Sequence, residues 1–206
     1  MDHHTTPGAL RALASRLLAL PPSCGPVRLV AVDGHAGAGK TTFAAALAAA
    51  LDGAPVLHLD DLATHEELFE WTGRLREQVL EPLRRGDTAR PAKYDWVARR
   101  FATILEVPPS PVVLLEGVGV GRRELRPWLA SLLWVEVSRE TARERGELRD
   151  GPALAGFWAG WMRAQDAHFA ADPSRPFADL LVHQRPDGYE LSAQPAGTPL
   201  TGTLRH

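Results

Sequence analysis

The sequence predicts an α/β fold: a P-loop NTPase three-layer sandwich with a central parallel sheet of about five strands and a short helical lid. Three observations carry this expectation. Short apolar runs alternate with helical patterns along the chain, the arrangement that gives a parallel sheet with right-handed crossovers. One of those runs opens directly onto a glycine-rich loop, Gly34-His35-Ala36-Gly37-Ala38-Gly39-Lys40-Thr41, which satisfies G-x-x-x-x-G-K-[ST]. A helical segment late in the chain sets arginines four apart on one face, a repulsion that phosphates would relieve.

The elements follow in order. Residues 1–8 read as disordered, and 9–21 as an N-terminal amphipathic helix stopped by Pro21 and Pro22. The run 27–32 (VRLVAV) is a buried strand, 40–51 an alanine-rich helix, and 55–59 (PVLHL) a second strand ending on Asp60 and Asp61. Leu68, Trp71, Leu75, Val79 and Leu83 recur at helical spacing over 65–83, with Pro82 ending or kinking the helix. The stretch 91–101 has no assignable structure. Strands are expected at 112–115, 132–137 and 179–182, a short helix at 122–130, and helices at 138–149 and 153–171, with Ser138 capping the former. The span 9–183 forms one kinase-sized domain, and 184–206, rich in Pro, Gly and Thr, reads as a disordered tail.

Composition narrows the function. A chain of 206 residues with net charge -2 has no global attraction for nucleic acid or anionic membrane, so phosphate chemistry must be local. The single cysteine, Cys24, excludes an internal disulfide. No signal-peptide pattern and no apolar run of roughly 18 to 20 residues is present, which makes the cytoplasm the expected location. The chain contains no asparagine, so neither an Asn-Lys-x-Asp guanine reader nor a protein-kinase catalytic loop can be built. Only two lysines occur, Lys40 and Lys93, against many arginines, a bias that fits a GC-rich genome.

In the glycine-rich loop, backbone N–H groups converge on phosphates and the following helix adds its positive end. Lys40 then reaches the β- and γ-phosphates, Thr41 holds magnesium, and Thr42 continues the cradle. The expected cofactors are ATP and Mg2+. Asp60 and Asp61 lie at the carboxyl edge of the sheet, where a carboxylate can take the proton of an attacking hydroxyl. The strand 112–115 ends in Glu116, placed to meet the magnesium shell together with Thr41 and Asp60. In the helix after Ser138, Arg145 and Arg149 lie four apart, as do Arg139 and Arg143. Like charges so spaced repel unless phosphates lie between them. The aromatic residues Phe157, Trp158, Trp161 and Phe169 on the last helix are assigned to core packing, while Gln165, Asp166 and His168 are candidates to face the acceptor.

Together the GHAGAGKT loop, HLDDL, the KYDW segment, VVLLEG, ERGELRD and the ADLLV strand resemble the uridine kinase and phosphoribulokinase family of P-loop kinases, over about 27–182. The resemblance implies Asp60 as catalytic base, Lys40, Arg145 and Arg149 acting on the transferred phosphate, and Glu116 near magnesium. It implies an acceptor pocket from Asp61, Lys93, Tyr94, Asp95, Trp96 and Arg99. The sequence departs from the family at Ala63, where an aromatic residue is usual, and at Arg99, where uridine kinases place a histidine. The expected activity is transfer of the γ-phosphate to a hydroxyl of a nucleoside or nucleoside-like small molecule. A resistance or tailoring kinase acting on a nucleoside antibiotic, with a large acceptor in the space left by Ala63, is one alternative. Others are a nucleoside monophosphate kinase using Lys93, Arg99 and Arg100, and a non-kinase ATPase switch. The partner expected is a small-molecule acceptor, with a homodimer left open.

Overall fold

The computed structural model describes residues 6–193. Helix α1 (Thr6–Leu18) precedes β1 (Arg28–Asp33), α2 (Lys40–Ala50) and β2 (Val56–His58). Helix α3 (Thr72–Leu75) passes through a π-helical stretch, Arg76–Leu80, into α4 (Glu81–Arg84). The hairpin β3 (Ala92–Asp95) and β4 (Arg100–Ile104) follows, then β5 (Val112–Glu116) and β6 (Ser131–Val135). Helices α5 (Arg139–Asp150) and α6 (Ala155–Ala171) lead to β7 (Leu180–Arg185) and β8 (Gly188–Ala193).

The main sheet has the order β2-β5-β1-β6-β7-β8. Its first five strands are parallel and β8 runs antiparallel to β7. Every residue of β5 and β6 is buried, because both faces of the sheet are covered. The period-two alternation then sorts side chains into two cores. Leu29, Ala31, Val113, Leu115, Leu132 and Trp134 face one core, which Leu75, Val79, Leu80 and Leu83 close from α3, the π stretch and α4. Val30, Val32, Val112, Leu114, Leu133 and Val135 face the other, closed by α1 and α2 through Leu13, Leu17, Phe43 and Leu47. These are the three layers of the sandwich.

Several elements differ from expectation. The first helix already includes residues 6–8 and ends at Leu18 rather than 21. The stripe at 65–83 is helical only from Thr72, and it continues past Pro82 to Arg84. Pro82 has no N–H to offer a helical carbonyl, and the chain widens just before it: the Glu81 N–H bonds the Arg76 carbonyl five residues back. Residues 184–193, read as disordered tail, form the end of β7 and all of β8, turning through Pro186-Asp187-Gly188. Tyr189 packs edge-on against Phe43 of α2 at 5.0 Å between centroids, which fastens this hairpin to the sandwich. Residues 1–5 and 194–206 lie outside the described residues.

One buried carboxylate ties the carboxyl edge of the sheet together. Asp33, fully buried at the end of β1, accepts N–H bonds from Gly34 (2.7 Å), Gly119 (2.9 Å) and Gly121 (2.8 Å). Beneath it lies Arg122, buried, donating to the carbonyls of Gly119 and Phe69 and stacked 4.0 Å over Trp71. Asp33→Ala leaves three buried donors and the guanidinium without this partner. At about 1–3 kcal/mol per orphaned group, not fully additive, the loss is a large fraction of a domain's stability. Denaturant unfolding is expected to show a midpoint shift of at least about 3 kcal/mol, and Asp33→Asn an intermediate one.

Candidate active site

The glycine-rich loop joins β1 to α2, the strand–loop–helix order that phosphate binding needs. It emerges beside β1 at the centre of the sheet, where connections leave in opposite directions and open α/β folds hold ligands. Gly37 has φ +85, and a Cβ there would come within 2.0 Å of the Ala142 carbonyl, so only glycine lets the loop nest against α5. Gly39 (φ 90) caps α2. Ala38 packs into the α2-side core. Lys40 Nζ donates to the His35 carbonyl at 3.1 Å.

The register of the strands sets the chemistry beside this loop. Glu116 pairs with Val32 of β1 on one side and His58 of β2 on the other. Its Oε2 is 3.2 Å from the Thr41 hydroxyl and 2.6 Å from His58 Nδ1. Asp60 follows β2 in a single 3-10 turn, Leu59–Asp61. Gly117 packs tightly under that turn: a Cβ there would lie 2.8 Å from Leu59 Cβ.

A cleft of about 660 Å³ runs over these groups. Gly37, Gly39, Lys40, Thr41, Thr42 and Ala36 form its phosphate end, with Asp60 and Glu116 on its floor. Arg145 and Arg149 reach it from α5. Arg145 touches only the Gln184 amide at 3.2 Å, whereas Arg149 is held by Asp150. The other two arginines of that helix are committed elsewhere: Arg139 binds Asp166 through both nitrogens, and Arg143 pairs with Glu147 at 2.8 Å.

The remaining sequence candidates are placed differently. Trp96 lines the cleft, its indole N–H donating to the Asp60 carbonyl at 3.2 Å. Tyr94 is buried, its hydroxyl 3.0 Å from His65 Nδ1. Lys93 and Asp61 bind each other at 3.0 Å, outside the lining. Asp95 accepts the N–H groups of Val97 and Ala98 and so shapes the β3–β4 turn. Arg99, at φ 54 in that turn, pairs with Glu66 at 2.6 Å. Gly34 and His35 stand behind the loop, with the His35 ring edge-on to Trp134 and Phe169. Ala63 is buried in the core, so it opens no room for an acceptor.

Trp158, Trp161, Gln165 and His58 take roles more specific than their sequence pattern states; His58, just before Asp60, is expected only to approach the site. Trp158 and Trp161 are buried against Phe69 and Val118, as core residues would be, yet with Phe157 they also form a wall of the cleft. Gln165, fully buried, accepts the Ala36 N–H at 2.8 Å and braces the loop rather than facing an acceptor. His58 lies in a strand, where nothing in its spacing marks it as a partner of Glu116.

The floor carries graded acidities. The Asp60 carboxyl lies above the usual range because protein atoms crowd it and because Glu116, Asp61 and their negative field oppose a further charge. Water reaches Asp60 down the open cleft, which weakens this upward push. Burial would raise Glu116 too, but the His58 hydrogen bond, the Lys40 charge and the Thr41 hydroxyl outweigh it and hold the carboxyl low. The two acids are thereby driven apart, one toward a proton acceptor and one toward a permanent anion. Among the described residues no group of three or more His, Cys, Asp or Glu side chains forms a metal cage. The hard oxygen set of Thr41, Glu116 and Asp60 suits magnesium, which keeps waters and phosphate oxygens as most of its ligands.

No family model matches the sequence, and no curated protein matches it. Among solved structures, a possible uridine kinase from Bacillus stearothermophilus is similar at 19% identity and a TM-score of 0.57, covering 84% of this chain and 96% of that one. The two share a fold. A candidate fructose transport system kinase from Silicibacter sp. TM1040 is similar at 24% identity and a TM-score of 0.51, covering 78% and 88%. No helix among the described residues is long and apolar enough to cross a membrane.

The 2.6 Å His58–Glu116 contact makes a pH-dependent prediction for the metal-free protein. Its hydrogen bond to Glu116 raises the His58 pKa. A histidine whose folded pKa is raised stabilises fully below its unfolded value, about 6.5, and loses that contribution as pH climbs through the folded value. Glu116, held low, contributes above the ordinary carboxylate range and fades as pH falls through its folded value. Thermal unfolding across pH 6 to 9 should therefore decline more steeply for the wild type than for His58→Gln. Parallel curves would show that the pair is not ionic.

Proposed function

We propose that the protein is an ATP-dependent small-molecule kinase that moves the γ-phosphate to a hydroxyl of a nucleoside-like acceptor, with Asp60 as general base. The observation that carries this reading is that Lys40, Thr41, Asp60, Glu116, Arg145 and Arg149, scattered over more than a hundred residues, line one cleft.

Asp60 accepts the acceptor's proton as its oxygen bonds to phosphorus and the bond to the departing ADP oxygen breaks. Its raised pKa makes it a stronger base than a free aspartate, while Glu116 stays ionised beside it. Magnesium, when bound, neutralises charge on the phosphates. Thr41 and Glu116 are the oxygens placed to hold it, with Asp60 adjacent. Lys40 leaves the His35 carbonyl for the phosphate oxygens, and Arg145 and Arg149 offset the charge that builds up during transfer. The aromatic wall beyond Asp60 excludes water from the transferred group, which favours transfer over hydrolysis.

Asp60→Asn should lower kcat by roughly 10²–10⁴-fold while leaving ATP affinity nearly unchanged. Lys40→Met should instead abolish ATP binding, read by calorimetry. A coupled ATP-consumption screen over nucleosides, sugars and nucleoside antibiotics identifies the acceptor. An ATPase switch would turn over ATP in response to a protein and to none of these compounds. Survival of transfer in Asp60→Asn would remove the base assignment.

A further inference from the structure

The acceptor end of the cleft has an unusual make-up for a site that sorts nucleosides. Its side chains beyond Asp60 are His65, Trp96, Val97, Val118, Phe157 and Trp161. The rings form a continuous chain: His65 to Trp96 at 4.9 Å, Trp96 to Phe157 at 5.9 Å, and Phe157 to Trp161 at 5.8 Å. Leu154, 44% exposed, and Val97, 96% exposed, stand at the rim, so apolar surface faces water around the mouth. Isolated exposed apolar residues are ordinary, but a ring of them continuous with an aromatic pocket marks a binding surface.

Most of the polar groups that could read a ring's edge are already used. The Trp96 indole N–H is on the Asp60 carbonyl, and the Trp158 indole N–H is on Asp150 at 3.0 Å. The Trp161 indole N–H has no partner but is sealed from solvent. One nitrogen of His65 is held by Tyr94. Lys93 is on Asp61 and Arg99 is on Glu66, so the cations lining the cleft are Lys40, Arg145 and Arg149, the ones the ATP phosphates would engage. With those cations on the phosphates, the charge left facing a bound acceptor is the Asp60 carboxylate. Hydrogen-bonded specificity of the kind that separates close analogues needs several placed donors and acceptors. Anionic acceptors need a cation to offset that carboxylate.

We infer that the acceptor is an uncharged alcohol carrying an apolar aromatic ring, held against the rings of Trp96 and Phe157 and selected by shape and lack of charge rather than by a hydrogen-bonded nucleobase edge. This rests on the kinase reading above and narrows it. Trp96 and Phe157 are then the residues that set acceptor choice, and phosphorylated or carboxylated acceptors are excluded by the acidic floor.

The test is calorimetry with the full chain, magnesium and a non-hydrolysable ATP analogue, against four probes: naphthyl riboside, uridine, uridine monophosphate and gluconate. Naphthyl riboside should bind at least about tenfold more tightly than each of the others, since one aromatic stacking partner is worth roughly five- to 150-fold in affinity. Trp96→Ala should weaken naphthyl riboside by about tenfold or more. Val97→Lys places a cation on a fully exposed rim position and should narrow the gap between uridine monophosphate and naphthyl riboside by about tenfold. Uridine, the monophosphate or gluconate binding as tightly as naphthyl riboside would overturn the inference, as would a Val97→Lys protein with an unchanged ratio. Wild-type protein that fails to bind the ATP analogue would overturn the kinase reading itself, whereas intact analogue binding with the wrong probe order removes only the acceptor class.

Discussion

The site depends on a single buried carboxylate that touches no ligand. Asp33 ends β1 and gathers the backbone of two loops, the glycine-rich loop through Gly34 and the loop after β5 through Gly119 and Gly121. Those loops carry the phosphate cradle and the segment beyond Glu116. A buried carboxylate is tolerable only when its oxygens are fully hydrogen-bonded, and three backbone N–H groups achieve that without a side chain that could reorient. The cost of burying the charge therefore becomes a constraint on geometry. Any displacement of either loop leaves a charge poorly solvated, so the distance between cradle and acid is fixed before a ligand arrives. Arg122, also buried, supplies the opposite charge from below while donating to the Gly119 and Phe69 carbonyls. Its ring partner, Trp71, belongs to the core beneath the sheet, which links the site's rigidity to ordinary apolar packing.

Much of this was legible in the sequence, and the reasons differ by residue. Gly34 to Thr41 could be read because phosphate binding demands glycine at fixed spacing, and no structural role alone imposes that pattern. Asp60 and Glu116 could be read because each follows a short apolar run, and parallel strands deliver their carboxyl ends to one edge. Arg145 and Arg149 were separable from Arg139 and Arg143 only by their partners. Arg143 has a local partner in Glu147, whereas Arg139 goes to Asp166 of α6, far along the chain, where no local pattern reveals it. Lys93, Arg99 and Asp61 illustrate the same limit. A residue type states what a side chain can bind, whereas the fold decides which partner stands nearest, and here each found one outside the cleft.

The misreadings at the end of the chain have a compositional cause. The segment around Pro186-Asp187-Gly188 was taken for a tail because Pro and Gly deplete the apolar content on which order depends. The same residues are turn formers, and they separate two stretches whose alternate residues meet across a hairpin. Tyr189 against Phe43 and Leu191 in the α2-side core give that strand its anchorage. A comparable ambiguity concealed the tryptophans of α6. Aromatic residues at helical spacing usually signal core, and Trp158 and Trp161 do pack as core, but a cleft wall is core with one side missing.

Helix α6 then explains why the two ends of the cleft behave as one body. From one turn it offers Trp158 and Trp161 to the acceptor wall, and from the next it sends Gln165 to the Ala36 N–H of the phosphate loop. The hairpin tip is tied in as well, since the Trp96 indole bonds the carbonyl of Asp60 itself. Wall, base and cradle are thus joined by hydrogen bonds that would all have to break for them to separate. Helix α5 joins the same body. It nests on Gly37 and lets Trp158 fit against Gly146, where any side chain would collide with the indole. It is also tied to α6 by Arg139 on Asp166 and by Asp150 on the Trp158 indole. Arg145 and Arg149 thus reach the cleft from a helix braced against its wall. For the proposed transfer, such bracing holds hydroxyl, base and covering charges in register before the reaction.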